Sequence, residues 1–314
     1  MSMGWAMLAA AAAIGQGVPI EAPGPSGPLA GTMLGATSNG GRGQPVVLIL
    51  PGSGPTDRDG NNPLGITAGS YRLLAEALAA QGVTTVRVDK RGLFGSKAAV
   101  ADANAVTIAD YAADVHAWAK VIRARTGAAC VWVLGHSEGG LVALAAAQTP
   151  ADLCGLILVA TPGRPMAAIL REQLAANPAN EPLQGQINAL FAAYEGGKPV
   201  DRTAMHPALA AAFPPQLDGY MRSLLSYDPA RLIAAYKGPV LIEQGGRDLQ
   251  LRPADAQALK AAQPRATLVP VPDANHVLKR VAGDDRAANL ATYADASLPL
   301  ADGFVGPIVA MVKR

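Results

Sequence analysis

The stretch Val131-Trp132-Val133-Leu134 runs directly into Gly135-His136-Ser137-Glu138-Gly139-Gly140 and then into the apolar run Leu141 to Gln148. No other part of the chain restricts its fold as tightly. An apolar run of strand length, then G-x-S-x-G, then a helical run sets a serine on a sharp strand-to-helix turn, where Gly135 and Gly139 let backbones approach closely. The helix that follows points its amide end at the place where negative charge develops in acyl transfer. Ser137 is therefore the expected nucleophile.

A serine on such a turn needs a base, and the chain has four histidines: His116, His136, His206 and His276. His116 lies within the helical run Ile108 to Arg125 and reads as an ordinary helix residue. His136 is the x residue of the turn, with its side chain expected to project away from the serine. His206 precedes Pro207 in an irregular polar region. His276 follows the strand-like Ala266 to Val271 and the turn Pro272 to Asn275, which suits the chain order serine, acid, histidine. The acid expected before it is Asp248, after the strand Pro239 to Glu243; it would accept the imidazole N–H and fix the tautomer. Asp273 is a rival by nearness in sequence alone. For the oxyanion, the strand Val46 to Leu50 leads into Pro51-Gly52-Ser53-Gly54, so the backbone amides of Ser53, or alternatively Gly54, and of Glu138 are the expected donors. The Glu138 side chain reads as a surface carboxylate or a contact at the mouth.

These motifs together resemble the α/β-hydrolase superfamily, and within it bacterial esterases with a GSGPTDRDGN-type loop, here Gly52 to Asn61. The resemblance also takes in Asp89-Lys90-Arg91-Gly92 with Gly95-Ser96, Tyr227-Asp228-Pro229, Arg247 to Gln250, Asn275-His276 and Tyr293 to Leu300. The usual GxGxS after the arginine-glycine pair is one residue longer in this chain. The polar loop Thr56 to Asn61 reads as a rigid brace, with Arg58 as a candidate substrate contact. Asp89, Lys90 and Arg91 close a strand on the side of the serine turn and predict a charged network buttressing that face.

Strands and helices alternate over the whole of the 314 residues, which predicts a doubly wound, mainly parallel sheet. Strands are expected near 46–50, 84–89, 130–135, 155–160, 239–243 and 266–271, with an earlier hairpin strand within Leu29 to Ala36. The hydrolase core then spans 29–160 and 239–314. The interval 161–238 is too long for a plain crossover. Its apolar helical stretches Met166 to Ala176, Leu183 to Tyr194 and Gln216 to Ser226 predict a helical cap inserted over the site, walling a pocket with Leu190, Phe191, Phe213, Tyr220, Met221 and Leu224.

Residues 1–28 read as a signal-like segment and linker: Trp5 to Ala13 are apolar and small, although the first basic residue is Arg42. Export to a periplasmic or extracellular setting is the expectation, with a cytoplasmic location as its alternative. Cys130 and Cys154 each precede a strand of neighbouring position, so both thiols are expected at the bottom of the sheet, either bridged in a disulfide if their Cα atoms lie within about 7 Å or buried as small hydrophobes. A net charge of +2 without a basic stripe speaks against nucleic acid as a partner. No apolar run reaches membrane-spanning length, and neither a metal motif nor a nucleotide fingerprint is present. The chemistry expected is hydrolysis of a small-molecule carboxylic ester through an acyl-serine, with no cofactor. A serine peptidase or amidase would use the same residues. A binding protein on an inactive hydrolase scaffold would keep the fold alone. Oligomeric state is not legible at this level.

Overall fold

The computed structural model describes residues 17–35 and 43–314. Eight strands form one sheet: β1 (Val18–Pro23), β2 (Pro28–Leu34), β3 (Val46–Leu50), β4 (Thr84–Val88), β5 (Val131–His136), β6 (Leu153–Val159), β7 (Val240–Gly245) and β8 (Thr267–Val271). Their spatial order is β1-β2-β4-β3-β5-β6-β7-β8. β2 is antiparallel to both of its neighbours, β1 and β4, and β3 through β8 run parallel. β3, β4 and β7 are buried at every position, as expected for central strands covered on both faces; β3 is an unbroken apolar run, while β4 buries Arg87 and β7 buries Glu243 and Gln244. β3 neighbours β4 on one side and β5 on the other. The chain leaves β3 toward β4 on one side and β5 toward β6 on the other, so a crevice opens beyond the carboxyl ends of β3 and β5.

The linker expected over Pro19 to Pro28 is not seen. Val18–Pro23 is a strand, with Ile20 and Ala22 turned inward, paired to β2 from Val18↔Met33 to Pro23↔Pro28. Proline cannot donate to a central ladder, but an outermost strand tolerates it, so a proline-rich composition concealed this element. The core therefore begins at about Val18, not Leu29. The apolar segment Trp5 to Ala13 lies outside the described residues.

Helices cover both faces. On one lie α1 (Ser70–Ala80) and the carboxyl-terminal helix; on the other lie α2 (Ile108–Thr126) and α3 (Glu138–Ala146). The start of α2 is set by a capping box in which Thr107 and Asp110 satisfy each other's backbone amides. Between β6 and β7 there are five helices, where three were expected: α4 (Met166–Ala175), α5 (Gln184–Glu195), α6 (Pro207–Ala212), α7 (Asp218–Leu225) and α8 (Pro229–Ala235). The two additional ones start on Pro207 and Pro229, capped by His206 and Asp228. Proline at the first helical turn initiates a helix rather than ending one. α7 packs on α2, and α8 on α3 and on α9 (Pro253–Ala262). The chain closes with α10 (Arg286–Ala291) and α11 (Val305–Val312).

Cys130 and Cys154 are joined by a disulfide, with Cα atoms 5.1 Å apart. It ties the start of β5 to the start of β6, at the edge of the sheet opposite the serine turn. Among the described residues no helix is long and apolar enough to cross a membrane.

Candidate active site

Ser137 has φ 54° and ψ −124°, a conformation costly for any residue with a Cβ and one that persists only where its surroundings enforce it. Three glycines let them do so. A Cβ on Gly135 would overlap the Gly139 carbonyl, one on Gly139 would lie 2.5 Å from the Leu50 carbonyl oxygen, and one on Gly140 would overlap Thr161. The end of β3 and the exit from β6 thus press on the turn from either side. The Ser137 amide donates to the Val159 carbonyl at 3.0 Å, anchoring it to β6.

His276 stands on the loop after β8, and its Nδ1 lies 2.8 Å from Asp248 Oδ2. The Asp248 carboxylate is buried, and its other oxygen accepts from the amides of Gln250 at 2.8 Å and Leu251 at 2.9 Å. A carboxylate accepts only, so Nδ1 carries a hydrogen, which in a neutral imidazole leaves Nε2 as the acceptor. Ser137 and His276 border the same cavity of about 130 Å³. Among the described residues no hydrogen bond joins their side chains, and such contacts commonly tighten only in a substrate complex. Asp273 is over half exposed and faces Arg280, 3.9 Å away. His116 bonds Thr149 on the surface, and His206 caps α6.

His136 departs from expectation. Its side chain is buried and borders the cavity, its ring centroid 4.7 Å from that of His276. Burial and the nearby His276 push its pKa down to about 3, so it is neutral. Nε2 lies 2.8 Å from the His276 carbonyl oxygen, which can only accept; Nε2 therefore bears the hydrogen and Nδ1 accepts from the Tyr71 hydroxyl at 2.8 Å. The Tyr71 oxygen in turn accepts from the Gly52 amide at 3.1 Å. A chain of polar contacts thus runs from the loop after β3, through the serine turn, to the backbone of His276. The x position of G-x-S-x-G carries no sequence signal for this, because the partners lie 65 and 140 residues away.

The amides of Ser53 and Glu138 have no acceptor among the described residues. Ser53 borders the cavity and Gly54 does not. The Glu138 side chain is buried rather than on the surface or at the mouth: one oxygen is 3.5 Å from Lys90 Nζ, and the other accepts from the Tyr220 hydroxyl. Lys90 also donates to the Gly52 carbonyl at 2.7 Å; burial pushes its pKa down and Glu138 opposes that. Its neighbours in sequence point elsewhere, Asp89 to Arg58 and Arg91 to Asp110 and Asp114.

The residues expected to contact substrate do not border this cavity. Arg58 is engaged with Asp89 and Thr32, and the adjacent Asp59 with Arg87, so this loop is braced onto β4 and Arg58 does not reach the cavity. Tyr220 is turned to Glu138. Leu190, Phe191, Met221 and Leu224 are buried among the helices between β6 and β7, and Phe213 stacks edge-on against Phe191 at 5.7 Å. Residues of those helices border a separate cavity of about 460 Å³. The cavity at Ser137 is walled instead by the loop after β3 and the start of α1, through Thr56, Asn62, Ile66 and Ser70, together with Gln250 and Val277. The apolar periodicity of residues 161–238 reported which side chains are buried, and burial there is satisfied by packing within the helices and against α2 and α3.

A model described as the alpha/beta hydrolase family matches residues 46–291. Esterase EstD of Thermotoga maritima is 26% identical over 226 residues, covering 68% of this chain and 48% of that protein. The chain thus spans about half the length of that curated relative. Among solved structures, Est1E of Butyrivibrio proteoclasticus with ferulic acid bound superposes with a TM-score of 0.58 at 19% identity, over 88% of this chain and 95% of that one. A malate-bound thermophilic esterase from Thermogutta terrifontis does so with a TM-score of 0.52 at 22% identity, over 84% and 92%. At these identities the superpositions speak to the fold.

Proposed function

The chain belongs to the alpha/beta hydrolase family, and on that premise we propose that it hydrolyses short-chain carboxylic esters through an acyl-serine on Ser137. The observation that carries this is His276, bonded to Asp248, sharing one cavity with a serine on a strained turn. In this reading His276 Nε2 takes the Ser137 proton as Oγ attacks the ester carbonyl, and the tetrahedral oxyanion accepts from the amides of Ser53 and Glu138. Asp248 stabilises the imidazolium. His276 then returns the proton to the departing alcohol, and after a water molecule replaces it the same steps run in reverse order to release the acid. Every atom in this sequence is supplied by the protein, the ester and water.

The volume of the cavity supports a small substrate. A cavity of about 130 Å³ lies well below the ~300–1,000 Å³ typical of sites for drug-sized ligands. Its walls mix Asn62, Thr56 and Ser70 with Ile66 and Val277, which suits a small acyl group. Turnover of p-nitrophenyl esters should fall steeply beyond a few acyl carbons, and a fluorophosphonate should label Ser137. Faster cleavage of aminoacyl anilides than of acetate esters would replace the esterase reading with an amidase one, and absence of labelling would favour an inactive scaffold. Export, expected from residues 1–28, accords with the Cys130–Cys154 disulfide, since such bonds persist in oxidising compartments.

A further inference from the structure

Lys90 stands at the end of β4, yet its ammonium reaches both strands of backbone that frame Ser137. It donates to the Gly52 carbonyl at 2.7 Å and lies 3.5 Å from Glu138 Oε1, with both side chains almost wholly buried. The Gly52 carbonyl and the Ser53 N–H belong to one peptide group. In a trans peptide these two point in opposite directions, so fixing the carbonyl toward Lys90 fixes the direction of the Ser53 N–H. The preceding peptide is pinned as well, through the Gly52 amide on Tyr71. Donation by a buried cation to a carbonyl also polarises that peptide and strengthens its N–H as a donor. The same ammonium also forms an ion pair, at 3.5 Å and without a hydrogen bond, with the side chain of Glu138, the first residue of α3, whose amide is the other donor in the proposed mechanism.

We propose that Lys90 is a positioning residue of the oxyanion site, one cation setting the direction and spacing of the Ser53 and Glu138 amides; this rests on the ester-hydrolase reading above. Preorganised donors act on the transition state more than on the bound ester, which separates this role from a merely structural one. Lys90→Met leaves Glu138 as an uncompensated buried charge and is expected to lower stability, so Lys90→Met/Glu138→Gln is prepared beside it, removing that charge as well.

The measurements are melting temperature, fluorophosphonate active-site titration, kcat and KM on p-nitrophenyl acetate, and inhibition by a trifluoromethyl ketone, which forms a tetrahedral adduct with an oxyanion. Removing an oxyanion donor outright costs about 10²- to 10³-fold in kcat, so loss of its positioning should cost about 10- to 100-fold. KM should stay within about twofold, and the ketone should bind more weakly by the same factor as kcat/KM falls. The double variant should regain the lost melting temperature but not the lost kcat. Recovery of kcat together with stability would show that Lys90 only balances a buried charge and would overturn the proposal. Unchanged kcat and inhibition in Lys90→Met would overturn it too, and if that variant does not fold, the double variant decides by the same readings. A wild-type protein that is neither labelled nor active on esters would overturn the hydrolase reading and this one together, whereas an active wild type beside an unimpaired variant overturns the Lys90 role alone.

Discussion

Ser137 combines strain and proposed chemistry in one residue. Replacing it by alanine removes the hydroxyl and should lower ester turnover by at least about 10³-fold, with His276→Ala falling to a similar floor because such residues act as a unit. Residual turnover above about a tenth in Ser137→Ala, measured at saturation, would exclude Ser137 as nucleophile. Alanine keeps a Cβ at φ 54°, whereas glycine is at ease there, so Ser137→Gly should be more stable than Ser137→Ala by about 1 kcal/mol despite its greater unfolded-state entropy. Chemical denaturation of the two variants checks this, and equal midpoints would mean the turn is not strained. The contact between Asp248 and His276 predicts a different ranking: Asp248→Asn should cut kcat sharply by favouring the wrong tautomer, while Asp273→Asn should leave it nearly unchanged. The reverse order would transfer the acid's role.

At the scale of the element, β7 carries an inconsistency. Glu243 is wholly buried between Val159 of β6 and Val269 of β8 in register, and neither carboxyl oxygen has a partner among the described residues. Burial pushes its pKa well up, so it is held neutral. Its folded pKa lies above its unfolded one, so its contribution to stability is intact below the unfolded value of about 4.3 and is lost as pH rises toward the folded value, by up to about 1.4 kcal/mol per unit. Glu243→Met removes the orphaned group and should raise stability by about 1–3 kcal/mol at neutral pH. The advantage should widen with rising pH from about 4. A gap that stays constant with pH in urea titrations would contradict the buried neutral acid.

For the whole molecule, the disulfide closes a loop over a sequence separation of 24, worth about 3.5 kcal/mol by loop-closure entropy. Replacing both cysteines by serine should lower stability by up to that amount and leave kcat unchanged, because the bond lies at the end of the sheet away from Ser137. Thiol titration of unfolded, unreduced protein taken from its native compartment tests export: two free thiols would argue against it.

Ser137, Asp248 and His276 were legible as candidates because each follows a run of strand length, and in a parallel sheet the carboxyl ends of the strands lie on one side. Chain order and strand direction then bring the three together without further information. The same apolar runs located every central strand. What they could not give was the partner of a buried polar group. His136 was expected to face away, and Glu138 was expected on the surface or at the mouth; their partners His276, Tyr220 and Lys90 lie 140, 82 and 48 residues off in the chain. Local periodicity reports that a side chain is buried, not what it is buried against, so the helices of residues 161–238 were legible as helices while their place against α2 and α3, away from the Ser137 cavity, was decided by tertiary packing alone.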